Sequence, residues 1–556
     1  MRPGPREREA GGVVSGPLIV QSDRSLLLEV DHPQAEQCRL AISAFAELER
    51  APEHIHTYRL SPLGLWNAAS AGYDAETVID ILLTYAKFPP SHEILLDVSE
   101  QMSRFGVLRL EDHPSHGLVL TSSDPAALTE VIDSKHTTAM LGSRIEPDIV
   151  AVHPSQRGAL KQALLHLLWP VDDRAGYVDG EAHPITLVED GWSLRPYQKA
   201  AVDSFSQAGS GVCVLPCGAG KTVVGAAAMA RASATTLILV TNTVAARQWR
   251  DELLRRTSLT AEEIGEYSGE RKQIRPVTIA TYQVVTYRRN KQFQHLELFA
   301  ARDWGLVIYD EVHLLPAPVF RMAADMQARR RLGLTATLVR EDGRETDVFS
   351  LIGPCRFEAP WRELEQQGWI APASCTEVRV RPERSELLAS LEADDADRYR
   401  VAASARSKVA VVKDLIAEHS GEQILVIGAY LDQLEDLAHK LGAPLVQGST
   451  STSEREDLFA KFRSGEVTVL VISRVGNHSV DLPDATVCIQ VSGTFGSRQE
   501  EAQRLGRVLR SKPDGRRAHF YAVVTSDTVD VEYAASRQRF LTEQGYSYQI
   551  TDAGGS

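Results

Sequence analysis

A lysine and a threonine closing a glycine-rich turn, and two adjacent carboxylates about ninety residues downstream, are the side chains of this sequence best suited to chemistry. The turn reads Leu215-Pro216-Cys217-Gly218-Ala219-Gly220-Lys221-Thr222. Gly218 and Gly220, on either side of Ala219, let the backbone wrap a phosphate; Lys221 would reach the β and γ phosphates of a nucleotide, and the Thr222 hydroxyl suits Mg²⁺. The stretch departs from the strict G-x-x-x-x-G-K-[ST] pattern because Leu stands at 215, so taken alone it could be a chance glycine turn before a helix. The second group, Asp310-Glu311-Val312-His313, narrows the choice. Adjacent carboxylates are costly inside a core, and in this order the pair divides naturally: Asp310 on Mg²⁺, largely through water, and Glu311 polarising an attacking water. A solvated acidic turn is the alternative. Together the two groups point to metal-assisted cleavage of a nucleoside triphosphate by a motor protein.

Such groups need rigid supports, and the flanking sequence supplies them. Val212 to Leu215 and Leu306 to Tyr309 are short apolar runs of the kind that form buried strands, and a helix opens at Thr222, its N-terminal dipole favouring an anion. Asp310 and Glu311 follow directly after the second run, where open parallel sheets place their ligands. Further strands are expected at Thr236 to Val240, Val277 to Ala280 and Leu332 to Ala336, with a helix at Ala245 to Arg256 whose polar face carries Arg247, Arg250, Arg255 and Arg256. This alternation predicts an α/β fold with a doubly wound parallel sheet. A second set begins after the acidic, Ala-rich stretch Glu383 to Asp397: strands at Ile424 to Ile427, Val467 to Ile472 and Ala485 to Gln490, and helices at Leu431 to Leu441 and Ser453 to Phe462. Two tandem lobes follow. Gln499 to Arg510 reads as a helix with Gln503, Arg507 and Arg510 on one face. A solvated basic face is the ordinary reading; beside a phosphate site with no arginine of its own, arginine fingers reaching across from the second lobe account for them better.

Length and charge bound the remainder. At 556 residues the chain holds about three to four domains. No segment reaches roughly 18 uninterrupted apolar residues, and Met1 to Gly16 lacks the apolar core of a signal peptide, so a cytoplasmic protein is expected. The six cysteines are scattered without a CxxC zinc pattern or a disulfide framework. Net charge is −14, but Pro17 to Val150 carries 9 basic against 20 acidic residues, a balance of −11. The rest is nearly neutral, which permits a DNA-binding groove downstream and makes the N-terminal block a poor phosphate binder. That block reads as three helices, Ser61 to Ser70, Asp74 to Tyr85 with Asp74 as N-cap, and Ser91 to Arg104, followed by a hairpin, Gly106 to Glu111 with Gly117 to Ser122. Helices then hairpin suggest a mixed α+β, winged-helix-like region, and its charge favours a protein contact over DNA. Thr137 to Leu187 forms a small mixed unit, with a strand at Ile149 to Val152 and a helix at Gln156 to Leu168.

In order along the chain, Leu194-Arg195-Pro196-Tyr197-Gln198, the loop LPCGAGKT, Thr281-Tyr282, the DEVH tetrad, GLTATLVRED from Gly333 to Asp342, Val475-Gly476 through Asp481-Leu482-Pro483, and QEEAQRLGRVLR from Gln499 to Arg510 resemble the motifs of superfamily 2 helicases. The resemblance is closest to the XPB family, including LWNAASAG, Leu65 to Gly72, in the N-terminal part, and covers nearly everything after residue 17. It implies ATP-driven unwinding of or translocation on DNA with 3′ to 5′ polarity in nucleotide excision repair, with ATP and Mg²⁺ as cofactors and DNA strands and junctions as partners. It implies Arg195 and Gln198 on the adenine side, Gly218, Ala219, Gly220, Lys221 and Thr222 on the phosphates, and Gln503, Gly476 and Asp481 also at the nucleotide. It implies His313, Thr335 and Thr337 as couplers of nucleotide state to DNA, Arg340, Glu341 and Asp342 as a strand-separating element, and Arg507 and Arg510 as fingers. The expected layout is a disordered tail 1–16, an N-terminal domain 17–134, a small damage-recognition-like unit 135–187, helicase lobe 1 at 188–375, a thumb-like insertion or linker at 376–405, and lobe 2 with the C-terminal tail at 406–556. The insertion would grip DNA in archaeal relatives, but Glu383, Glu386, Glu392, Asp394, Asp395 and Asp397 make its first part acidic here. By the same resemblance a nuclease is an expected partner. An alternative stays open: a nucleotide-controlled double-strand translocase or assembly factor that recruits a repair nuclease without processive unwinding.

Overall fold

Oxygen side chains one residue ahead of apolar-periodic runs start the N-terminal helices: Ser61, Asp74 and Ser91 accept from the backbone N–H of Gly64, Thr77 and Ile94. The computed structural model describes residues 16–50, 54–216, 218–289, 292–316, 319, 326–327, 329–336, 345–359, 364–365, 367–369, 373–473, 485–493, 517–535 and 548–553. The chain divides into two units, Met1–Arg104 and Phe105–Ser556. In the first, the capped helices Pro62–Ser70, Ala75–Tyr85 and His92–Ser103, with Ala35–Ile42, share a core with an antiparallel sheet. Its strands are β1 (Leu18–Val20), β2 (Ser25–Glu29), β3 (Glu47–Arg50) and β4 (Ile55–Arg59), in the order β1-β2-β4-β3.

The hairpin that the sequence groups with these helices, β5 (Leu108–His113) and β6 (Gly117–Ser122), belongs to the second unit. It pairs with β7 (Leu141–Glu146), β8 (Ile149–Val152) and β9 (Val171–Asp173) in a five-stranded sheet of order β7-β8-β6-β5-β9. A hairpin sets its own register locally, but the sheet it joins is chosen by pairing with β8 and β9, which no local pattern announces. The helices Pro125–Asp133 and Arg157–His166 cover this sheet's core of Leu108, Leu120, Leu128, Leu160 and Leu164.

Apolar runs buried at all or nearly all positions, not at alternate ones, build most of the inner strands of the two large sheets. The first contains β10 (Ser210–Val214), β11 (Thr236–Val240), β12 (Ile264–Tyr267), β13 (Val277–Thr281), and, after a short hairpin of β14 (Arg288–Arg289) and β15 (Gln292–Phe293), β16 (Leu306–Asp310), β17 (Arg330–Thr335) and β18 (Cys355–Glu358). Its order is β12-β13-β11-β16-β17-β10-β18, with every pairing parallel. The second contains β19 (Ala373–Val380), β20 (Ile424–Gly428), β21 (Leu445–Val446), β22 (Val469–Ser473), β23 (Val487–Gln490), β24 (Ala518–Thr525) and β25 (Tyr548–Asp552), again wholly parallel, in the order β21-β22-β20-β23-β24-β19-β25. The strand β19 corrects the expected boundary: residues divided between the first lobe and a linker form one continuous strand of the second sheet. Its partners β24 and β25 lie more than a hundred residues on, beyond reach of a local reading. The acidic stretch after it forms two helices, Arg384–Glu392 and Asp395–Ala403, the first closed by a reciprocal cap between Glu383 and Glu386.

Candidate functional site

The phosphate loop leaves β10 and enters the helix Lys221–Ala232 through Gly220, at φ +81°. A Cβ at Gly220 would stand 2.5 Å from Gln198 Nε2, so both the torsion and the space demand glycine. Gly218 also lies at φ +81°. Gly220 offers no capping oxygen, which suits a helix end that an anion completes. The loop is tied down on one side: Tyr197 Oη (2.8 Å) and Gln198 Nε2 (2.9 Å) both donate to the Ala219 carbonyl. Gln198 Oε1 meanwhile accepts from the Arg195 backbone N–H at 3.0 Å. Gln198 is 4% exposed, its amide nitrogen holding the loop and its oxygen the Arg195 backbone N–H.

The carboxylates end β16, two strands from the loop with β17 between them. Glu311 takes φ +51°, a left-handed conformation that costs a non-glycine residue about 1 kcal/mol or more and that clusters at functional sites. Its Oε1 meets Lys221 Nζ at 2.9 Å, with both side chains largely buried. Burial, the largest single influence, would raise the Glu311 carboxyl, but the Lys221 ammonium, His313 and the hydrogen bonds from Lys221 and the Ala336 backbone together hold it below the usual carboxylate range. Asp310 behaves oppositely: burial first, then the neighbouring Glu311 charge, push it up to about 6. The Trp249 indole N–H donates to Asp310 Oδ2 at 2.9 Å, and Tyr282 Oη donates to the Asp310 carbonyl at 2.8 Å. The intervening strand closes the arrangement. His313 Nδ1 lies 2.6 Å from Thr335 Oγ1 and 3.6 Å from Glu311 Oε2, while the Thr335 carbonyl accepts from Leu215 N at 2.8 Å.

The structure thus brings Arg195, Gln198, Gly218, Ala219, Gly220, Lys221, Asp310, Glu311, His313 and Thr335 together at the carboxyl ends of the inner strands of one sheet, with Thr222 in the first turn of the helix behind the loop. Thr337, Arg340, Glu341, Asp342, Gly476, Asp481, Gln503, Arg507 and Arg510 lie outside the described residues. Three participants escaped the sequence reading: Trp249, Tyr197 as a loop anchor, and Trp369, whose ring carries the Arg195 guanidinium 4.8 Å from its centroid. An indole in a helix or loop reads as core, and no spacing marks it as a partner of residues 61 or 174 positions away.

A phosphate loop set against paired carboxylates on a parallel sheet, with a second parallel lobe following, defines a P-loop motor of the two-lobed RecA-like class. Along 541 residues the chain is 66% identical to the DNA 3′-5′ helicase XPB of Kineococcus radiotolerans, covering 97% of each chain, and 63% identical to that of Mycobacterium tuberculosis, covering 97% of this chain and 98% of the relative. The chain belongs to the XPB family of superfamily 2 helicases. The Saccharomyces cerevisiae helicase/translocase subunit XPB/SSL2 of the general transcription and DNA repair factor IIH is 31% identical over 96% of this chain and 72% of its own length. Family models agree by segment: ERCC3/RAD25/XPB C-terminal helicase at residues 364–554, helicase conserved C-terminal domain at 18–146, and type III restriction enzyme res subunit at 191–340.

Proposed function

We propose that this protein is an ATP-driven DNA helicase of 3′ to 5′ polarity acting in DNA repair. The observation that carries the nucleotide reading is the Lys221–Glu311 contact at 2.9 Å: the cation meant for a phosphate and the carboxylate meant for a water already share one pocket. An incoming γ phosphate competes with Glu311 for Lys221 and leaves the carboxylate free to accept a proton from water. His313, bonded to Thr335 and facing Glu311, senses that change and passes it to the strand beneath. Arg507 and Arg510 would stabilise charge on the transferring phosphoryl when the lobes close, and loss of such a finger costs about 10³ in rate. Arg340, Glu341 and Asp342 would separate the strands.

The residues present fit Mg²⁺. Asp310, whose carboxyl burial and Glu311 push up to about 6, is a site where a divalent cation relieves unfavourable charge, and the Thr222 hydroxyl opens the adjacent helix. An ion in such a site is held by one carboxylate, waters and the nucleotide's own phosphates. Bound there, it would neutralise charge on the β and γ phosphates.

The test is ATP hydrolysis by wild type and Glu311→Gln, alone and with single-stranded DNA, duplex DNA or RNA. DNA should stimulate the wild type strongly, while the variant binds ATP and stalls. Normal turnover in the variant would remove the role given to Glu311. No stimulation by any polymer would favour the assembly-factor alternative.

A further inference from the structure

We propose that Trp369 is a specificity-determining residue of this nucleotide site, backing Arg195 so that the guanidinium seated over its indole forms the wall on which a purine base lies. The inference rests on the nucleotide reading above and names the residue that reads the base. Trp66, Trp249 and Trp304 are at most 2% exposed, whereas Trp369 is only partly buried, packed against the core on one side. Its Nε1 is bonded only locally, to Gln367 Oε1 at 3.1 Å among the described residues. What the ring carries is Arg195: Cζ stands 4.8 Å from the ring centroid, and Nη1 donates to the Trp369 carbonyl at 3.5 Å and to Tyr197 Oη at 3.0 Å.

A guanidinium held over an aromatic ring stays weakly hydrated and orientationally fixed, which makes its free face a good stacking surface for a planar base. Gln198 has its nitrogen engaged on the loop carbonyl of Ala219 and its oxygen on the Arg195 backbone N–H, so base contact falls more heavily on Arg195. The pair is also tied to the phosphate loop: Arg195 donates to Tyr197 Oη, and Tyr197 donates to the Ala219 carbonyl. Trp369 stands four residues before β19, the strand that opens the second sheet, so a base settling on this wall is felt where the chain enters the second lobe.

The experiment compares wild type, Trp369→Ala and Trp369→Phe for kcat/KM with ATP and with UTP, and for inhibition by inorganic triphosphate, which has the phosphates without a base. Trp369→Ala should lower kcat/KM for ATP about tenfold, mostly through KM, and shrink the preference for ATP over UTP by a similar factor. Inhibition by triphosphate should stay within about twofold, and Trp369→Phe should recover most of the preference. An unchanged ATP-to-UTP ratio in Trp369→Ala overturns the proposal, whether or not overall activity falls, because a merely structural indole would weaken both nucleotides equally. If wild type turns over neither nucleotide, the nucleotide reading itself fails.

Discussion

Gly225→Ala tests whether Trp249 positions Asp310. Gly225 lies within the helix Lys221–Ala232, where Ala is ordinarily better than Gly by up to about 1 kcal/mol. Here a Cβ would stand 2.4 Å from Trp249 Cη2 and 3.0 Å from Cζ3, against an ordinary contact distance of at least 3.4 Å, so the indole must move by about 1 Å. It is 1% exposed and enclosed in the core of the first lobe. Overpacking of this kind costs about 1–3 kcal/mol, and a displaced indole also gives up its 2.9 Å bond to Asp310, about 1.5–3 kcal/mol for a charged acceptor. After subtracting the helix gain, the variant should be less stable by about 1.5–5 kcal/mol, the reverse of the usual sign for Gly→Ala in a helix. Thermal unfolding should show a fall of several degrees, and ATP turnover should lose kcat more than KM, since Asp310 is displaced while the phosphate loop is kept. Trp249→Phe removes the donor without the clash and should share the catalytic loss with a smaller loss of stability. A Gly225→Ala protein that melts higher than wild type with unchanged turnover would refute the reasoning.

Thr335→Val deletes the hydroxyl 2.6 Å from His313 Nδ1 while nearly conserving shape. Basal ATP hydrolysis should stay within about twofold and stimulation by DNA should fall about tenfold, the worth of one hydrogen bond; full stimulation would remove His313 and Thr335 from the coupling route. In the N-terminal unit, burial first and then Arg39 push buried His56 down to about 4 from an ordinary 6.5. The unfolded chain therefore binds a proton between pH 6.5 and 4 that the folded unit does not, and stability, fully present above pH 6.5, should fall by about 3 kcal/mol as pH drops to 4. His56→Gln should flatten that slope in unfolding measured against pH, and an equally steep slope in the variant would exclude His56 as its source.

The sequence by itself determined the parts of this protein that depend on near neighbours. Glycines that must take positive φ marked the phosphate loop, mainly apolar runs marked β10, β11, β13 and β16, and oxygen side chains at Ser61, Asp74 and Ser91 marked helix starts, because torsion, local burial and capping are settled within a few residues. Ordered motifs carried the family. What only the tertiary structure decided was which distant elements meet. The hairpin of β5 and β6 joins β8 and β9 and not the helices before it, and β19 finds β24 and β25 far along the chain. The site divides in the same way: Lys221 and Glu311 were legible as chemistry, while the roles of Trp249, Tyr197 and Trp369 were not. Those three residues act through what they touch, and contacts across a sheet are set by the summed burial of many strands, which no window of neighbouring residues contains.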